Sequence, residues 1–139
     1  MTITLAQITD LPGIAALDRH IPPAHLEECI QNGRIYALKD AEANIVGVLR
    51  YSLFWQTIPF CDLLYLSETC RRCGLGTKMM QAWEAQMQTC GYRDVLTSTQ
   101  ADEEAWRFYE HLGYRRVGGF YPPEQDAEEW IYCKHLSDL

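Results

Sequence analysis

The chain has 139 residues, 12 Lys+Arg against 19 Asp+Glu, 47% hydrophobic content and a formal net charge of −7. A chain of this size buries roughly two-thirds of the surface its unfolded form exposes, so one domain over residues 1–139 can hold a core without metal or disulfide staples. The acidic balance argues against nucleic acid as a partner, because the basic residues are scattered apart from Arg71-Arg72 and Arg115-Arg116; a cation is the better guess for a charged substrate.

No apolar run approaches the roughly 18 residues of a membrane span, and the N-terminus lacks a basic region followed by an apolar segment. The expectation is therefore no membrane and a cytoplasmic location. In chain order, Ile3 and Leu5 alternate with threonines and suit a half-buried strand. Thr9 or Asp10 is placed to cap a short helix through Asp18 with Pro12 in its first turn, and Pro22-Pro23 opens a second helix that Asn32-Gly33 closes. A hairpin follows, from Ile35 to Leu38, through a polar turn at Asp40 to Asn44, then along Ile45 to Trp55. Cys61 to Leu66 is short and apolar enough for an interior strand.

Leu75, Met79, Trp83 and Met87 recur every four residues, which predicts an amphipathic helix over Gly74 to Cys90 that ends at Gly91; the stripe reads as core. Val95 to Thr99 is a further strand. Asp102 with Glu103-Glu104 offers a cap and an acidic first turn for a helix to Leu112, stopped by Gly113. Tyr114 to Tyr121 and Trp130 to Leu136 complete the order β-αα-β-β-β-α-β-α-β-β, an α/β arrangement with antiparallel strands early and strand-helix-strand crossovers late.

Cys29, Cys61, Cys70, Cys73, Cys90 and Cys133 read as reduced thiols, since several sit inside apolar segments. Cys70 and Cys73 have metal or redox spacing, but with no second pair and no nearby His the expectation is no metal.

The segment from Arg71 through Arg72, Cys73, Gly74, Leu75 and Gly76 to Thr77 lies between an apolar strand and the amphipathic helix. Its glycines let the backbone turn N–H groups inward at a helix N-terminus, a design for holding an anion such as a pyrophosphate. The nucleotide P-loop spacing is absent, and Met79 stands where a dinucleotide fingerprint needs a third glycine.

Leu64-Tyr65-Leu66, then Arg71-x-x-Gly74-x-Gly76, then Asp102-x-x-Ala105-x-x-Phe108-Tyr109-x-x-x-Gly113-Tyr114 resembles the acyl-CoA-binding core of the GCN5-related N-acetyltransferase (GNAT) superfamily, over Leu64 to Tyr114. The resemblance implies a mixed, mostly antiparallel central sheet flanked by helices. It implies acetyl-CoA as co-substrate, with Arg71 to Thr77 on the pyrophosphate and pantetheine against the backbone of Tyr65 and Leu66, where a strand kink parts Cys61–Leu66 from the Val95 strand. It places an oxyanion donor at about the Leu66 N–H and makes Tyr109 the proton donor to the departing thiolate. Three positions depart from the family pattern: Arg72 replaces a frequent Gly, Cys73 a frequent basic residue, and Asp102 a frequent Asn, so Asp102 is a pantetheine contact or a helix cap.

Transfer to an amine needs a neutral nucleophile, and Asp62, on the central strand, is the candidate base, with Glu68 weaker. The acceptor is a primary amine of a small molecule or a peptide, cationic if the acidic loop Glu124 to Glu129 faces it. Tyr51, Phe54, Trp55 and Phe60 border the acceptor cleft, belong to the core, or serve as contacts of a homodimer. The alternative function is an inactive acyl-CoA-binding module acting as a sensor or partner subunit.

Overall fold

The computed structural model describes residues 1–137. Its elements are β1 (Thr2–Leu5), α1 (Leu11–Leu17), α2 (Pro23–Gln31), β2 (Ile35–Lys39), β3 (Ile45–Phe54), β4 (Ile58–Leu66), α3 (Leu75–Thr89), β5 (Asp94–Gln100), α4 (Ala105–His111), β6 (Arg115–Phe120) and β7 (Glu129–His135). The 3-10 turns Ile8–Asp10 and Glu68–Cys70 punctuate them. This is a mixed α/β fold with the strand order β1-β2-β3-β4-β5-β7-β6. The pairs β1–β2, β2–β3, β5–β7 and β6–β7 are antiparallel, and parallel pairing joins Phe60 to Leu96 and Cys61 to Thr97.

Two compact units divide the chain: Met1–Ser52 with Asp62–Trp83, and Leu53–Cys61 with Glu84–Leu139. In the first, Ala6, Ile14, Leu26, Ile30, Ile35 and Val48 form a buried cluster that Leu11, Ala15 and Ile21 extend. Neighbouring residues Ala37 and Leu38 are both buried, so β2 is covered on both faces, as a near-continuous apolar run requires. The β3 strand passes close to its neighbours at Gly47, where a Cβ would stand 2.8 Å from Leu66 Cδ2 and 3.0 Å from Leu38 Cβ. Only glycine fits that approach without displacing a packed leucine.

Four local expectations change. Leu5 is 51% exposed, so β1 is not the simple apolar-in, polar-out strand its alternation suggests; Ile3 and Thr4 are the partly covered residues. Asp10 stands at the N-cap of α1 but makes no capping bond there; its carboxylate instead accepts the Gln7 N–H at 2.9 Å and pairs with Lys39 at 3.0 Å. Burial works against that carboxylate's charge, yet the Gln7 N–H and Lys39 together hold its pKa below the ordinary value. Asp102 does not cap α4, which begins at Ala105 with Glu104 at its N-cap. The long third strand stops at Phe54 because Trp55 and Gln56 both take left-handed backbone (φ 55° and 61°), which turns the chain straight back into β4 at Ile58.

In the second unit β5 buries Val95, Thr97 and Thr99 on alternate positions. The stripe on α3 is core in both units, with Met79, Trp83 and Met87 at most 2% exposed. Glu84 on the same helix is buried and doubly held: Tyr114 donates its hydroxyl at 2.7 Å and Lys134 its ammonium at 2.8 Å. Burial, and then the Glu84 charge, push the Tyr114 phenol far above its ordinary pKa, so it stays neutral and donating. Glu84→Ala removes the acceptor for both groups and should destabilise the fold by about 3 kcal/mol, read from the urea midpoint, with Glu84→Gln losing less because its amide oxygen still accepts from Tyr114.

Candidate active site

The first unit presents the glycine turn. After β4 the chain makes one 3-10 turn, then Arg72 and Gly74 adopt positive φ (63° and 80°) and α3 starts at Leu75, its first bond running from the Lys78 N–H to the Gly74 carbonyl at 3.1 Å. A Cβ on Gly74 would meet nothing within 4 Å, so glycine is there for conformation and leaves open space beside the loop. Gly76 is buried in the first turn. The helix runs 15 residues, so its leading N–H groups and partial positive charge are available to an anion. Arg71 lies back over the end of β4: its Nε donates to the Leu66 carbonyl at 3.0 Å and its guanidinium sits 5.3 Å from the Tyr65 ring centre. Thr77 and Leu75 are half-buried, while Arg72 and Cys73 are exposed. The Cys73 thiol donates to the Cys70 carbonyl at 3.0 Å.

The same unit holds Asp62 in a charged cluster. Its side chain is 29% exposed, with the Arg50 Nη1 3.8 Å from its Oδ2 and the Ser52 hydroxyl bonded to it. Partial burial raises the Asp62 pKa above the usual carboxylate value, against the opposing pull of Ser52, Arg50 and Arg34 and with help from Asp18. A carboxylate tuned upward is a better proton acceptor than an ordinary one. Glu68 is exposed at the start of the 3-10 turn.

Tyr109 belongs to the second unit. It projects from α4 into the core, 7% exposed, with its ring edge-on to Phe108 at 5.2 Å and to Tyr114 at 5.7 Å. Its hydroxyl is bonded with Thr97, whose own Oγ1 donates to the Cys61 carbonyl at 3.0 Å. With the threonine proton committed to that carbonyl, the threonine oxygen is left to accept from the phenol. Burial raises the Tyr109 pKa far above its ordinary value, so the group carries its proton throughout the physiological range.

The model of the acetyltransferase (GNAT) family matches residues 6–114. The chain belongs to this family. Solved structures agree at the level of fold. Ard1 from Thermoplasma volcanium superposes with a TM-score of 0.87 at 18% identity, covering 99% of this chain and 98% of that one. The ribosomal-protein-S18-alanine N-acetyltransferase from Escherichia coli gives 0.83 at 17% identity, covering 99% and 95%. An aminoglycoside 6'-N-acetyltransferase complexed with coenzyme A gives 0.83 at 17% identity, covering 100% and 99%. No curated protein matches the chain.

As a GNAT acetyltransferase the chain has instructive departures. Position 72, where the family often has Gly, keeps a left-handed backbone while carrying an arginine. Asp102 is exposed in the turn before α4. The aromatic residues do not act as one group: Tyr51 packs against Trp83 (5.8 Å) and Tyr36 (6.4 Å) in the first unit, whereas Phe54 meets Trp55 (4.8 Å) and Phe60 (6.3 Å) at the hairpin tip in the second. Trp55 itself is 78% exposed. In the acidic loop, Glu128 accepts the Trp130 indole N–H at 3.1 Å and pairs with Arg116 at 3.6 Å, and Glu129 accepts from Gln125 at 3.1 Å. Those carboxylates serve the hairpin they belong to. No disulfide and no metal-holding group of His, Cys, Asp and Glu occurs among the described residues.

Sequence reasoning missed Asp18, Arg50, Ser52 and Thr97. The available signal was a lone arginine inside the apolar run Ile45–Phe54, since a charge at such a position requires a partner.

Two stability measurements check the site. Gly74→Ala should cost about 1 kcal/mol from backbone conformation alone, because there is room for the methyl group. For Asp62 the folded pKa lies above the unfolded one, so its titration supplies stability at pH below the unfolded value that is lost as pH rises through the folded value. Asp62→Asn should therefore raise the thermal midpoint at pH 7, and the gain should shrink as the pH is taken down to about 3.

Proposed function

We propose that this GNAT acetyltransferase carries an acetyl group from acetyl-CoA to a primary amine, of a small molecule or a peptide, by direct attack in a ternary complex. The left-handed turn from Arg72 to Gly74 at the head of α3 carries the reading. It leaves open space beside Gly74 at the N-terminus of a 15-residue helix, whose leading N–H groups precede the first helix bond, and has Arg71 and Arg72 within the same few residues, a donor set suited to a pyrophosphate.

Arg71, Arg72, Cys73, Gly74, Leu75, Gly76 and Thr77 would hold the phosphates, and the backbone of Tyr65 and Leu66 the pantetheine arm. Arg71 already reaches the end of β4 through the Leu66 carbonyl, so one side chain links the two binding segments. Acetyl-CoA supplies the acyl group in activated form, and the protein needs no nucleophile of its own. Asp62 accepts the proton that the substrate ammonium must lose before its neutral amine attacks the thioester carbonyl, and its partial burial suits it to that task. Tyr109, kept neutral by burial, gives its proton to the leaving sulfur, and the second proton that the nitrogen loses as the adduct collapses restores the phenol. The structural relatives named above act on a ribosomal-protein alanine and an aminoglycoside, so one fold serves both classes of acceptor and the acceptor here is set by local residues.

CoA release from acetyl-CoA, followed with polyamines, amino acids, aminoglycosides and peptides in turn, tests the reading. At least one class should turn over; Tyr109→Phe should then lower kcat about 10²-fold with acetyl-CoA affinity kept. Asp62→Asn should lower kcat to a similar extent. Gly76→Glu should weaken acetyl-CoA binding at least tenfold, about 1.4 kcal/mol. Tight acetyl-CoA binding with no release for any class would show a binding module instead of an enzyme, and unchanged affinity in a folded Gly76→Glu variant would remove the loop from the site.

A further inference from the structure

The third strand carries a charge that its own packing does not require. Val48 and Leu49 are fully buried, and Arg50, next along β3, is 8% exposed. Its Nε donates to Asp18 Oδ2 at 2.7 Å, and the Asp18 side chain is completely buried at the end of α1. The other Asp18 oxygen accepts the His20 N–H at 3.2 Å. The His20 ring also faces that oxygen, its Nδ1 3.5 Å away. The guanidinium is planar and fixed at Nε, so the position of its outer nitrogens is fixed as well. One of them, Nη1, stands 3.8 Å from Asp62 Oδ2, on a side chain that solvent still reaches.

We propose that Asp18 and Arg50 form a clamp that positions the Asp62 carboxylate and sets its charge: Asp18 locks Arg50 through a short buried bond, and Arg50 presents its outer nitrogen to Asp62. The clamp rests on the reading of Asp62 as proton acceptor, and Asp18 and Arg50 act through Asp62 as positioning residues. An arginine is needed because one planar group must meet two carboxylates from two elements; a lysine offers a single point charge.

The charged and polar groups that act on Asp62 come from several elements. Arg50 and Ser52 lie on β3, Arg34 precedes β2, and Asp18 ends α1. The Cys29 thiol of α2 lies in the same field, held neutral chiefly by burial. Arg50 favours the Asp62 carboxylate and Asp18 opposes it. Asp18→Asn keeps an oxygen to accept from the Arg50 Nε but removes the charge that competes with Asp62 for the guanidinium. Removing the Arg50 charge and removing the Asp18 charge should therefore move Asp62 in opposite directions, which loss of packing alone would not do.

The test is carbon NMR of the full chain labelled at aspartate carboxyls, with the Asp62 signal assigned by its disappearance in Asp62→Asn. Arg50→Met should raise the Asp62 titration midpoint by about one pH unit. Asp18→Asn should lower it, and Arg50→Lys should fall between wild type and Arg50→Met. Midpoints that stay put, or move the same way in both charge-removing variants, overturn the clamp. Since removing one partner of a buried pair can unfold the chain, a wild-type measurement stands beside these: the Arg50 Nε resonance should shift with the Asp62 midpoint, and a flat Arg50 signal through that midpoint overturns the proposal. These readings need no acceptor. Full turnover in Asp62→Asn would remove Asp62 as the base while the carboxyl coupling stood.

Discussion

A charge inside an apolar sheet must be matched, and in the first unit that requirement organises everything around Arg50. The cost of stranding a guanidinium beside Val48 and Leu49 is several kcal/mol, so Asp18 has to lie within bonding distance of it. Asp18 can do so because α1 ends there, with its backbone N–H bonded to the Ile14 carbonyl at 2.8 Å. The apolar cluster of Ile14, Leu26, Ile30 and Ile35 holds α1 and α2 in place, so ordinary packing fixes one carboxylate and, through Arg50, faces a second. A buried ion pair is weak evidence for stability in general. Here its geometry has a further consequence, because the arginine fork extends past its buried partner to a half-exposed one.

The second unit solves a similar problem with hydroxyls. Glu84 is satisfied by Tyr114 and Lys134, and the Tyr109 hydroxyl by Thr97, itself tied to a carbonyl of β4. Both phenols are held neutral by burial. The chemistry assigned to the two units thus differs in kind: a carboxylate tuned upward to accept a proton, and a phenol kept protonated to give one.

Much of this was legible in the chain. The element order, the α3 stripe of Met79, Trp83 and Met87, and the glycine turn all follow from period, spacing and the glycine positions. What was not legible has local causes. The turn at Trp55 and Gln56 uses left-handed backbone without the Gly or Asn that usually announces it, so the strand reads too long and its partner too late. Asp102 and Asp10 look like helix caps because their type and place are right; the helix after Asp102 starts two residues beyond Glu103, and Asp10 caps the preceding turn instead. Arg50 with Asp18 was invisible because 32 positions separate them and only the packing of α1 on the sheet brings them together. Pair partners of that separation carry no sequence signature, whereas the glycine loop is contiguous and does.

Every functional role proposed for this chain requires acetyl-CoA to be held at the head of α3. Amide hydrogen exchange of the full chain, with and without saturating acetyl-CoA, tests this without any knowledge of the acceptor. Exchange should slow by about tenfold or more across residues 73–77, whose N–H groups precede the first helix bond and would be engaged by phosphate. Unchanged exchange in that segment, with acetyl-CoA demonstrably bound, would contradict the account.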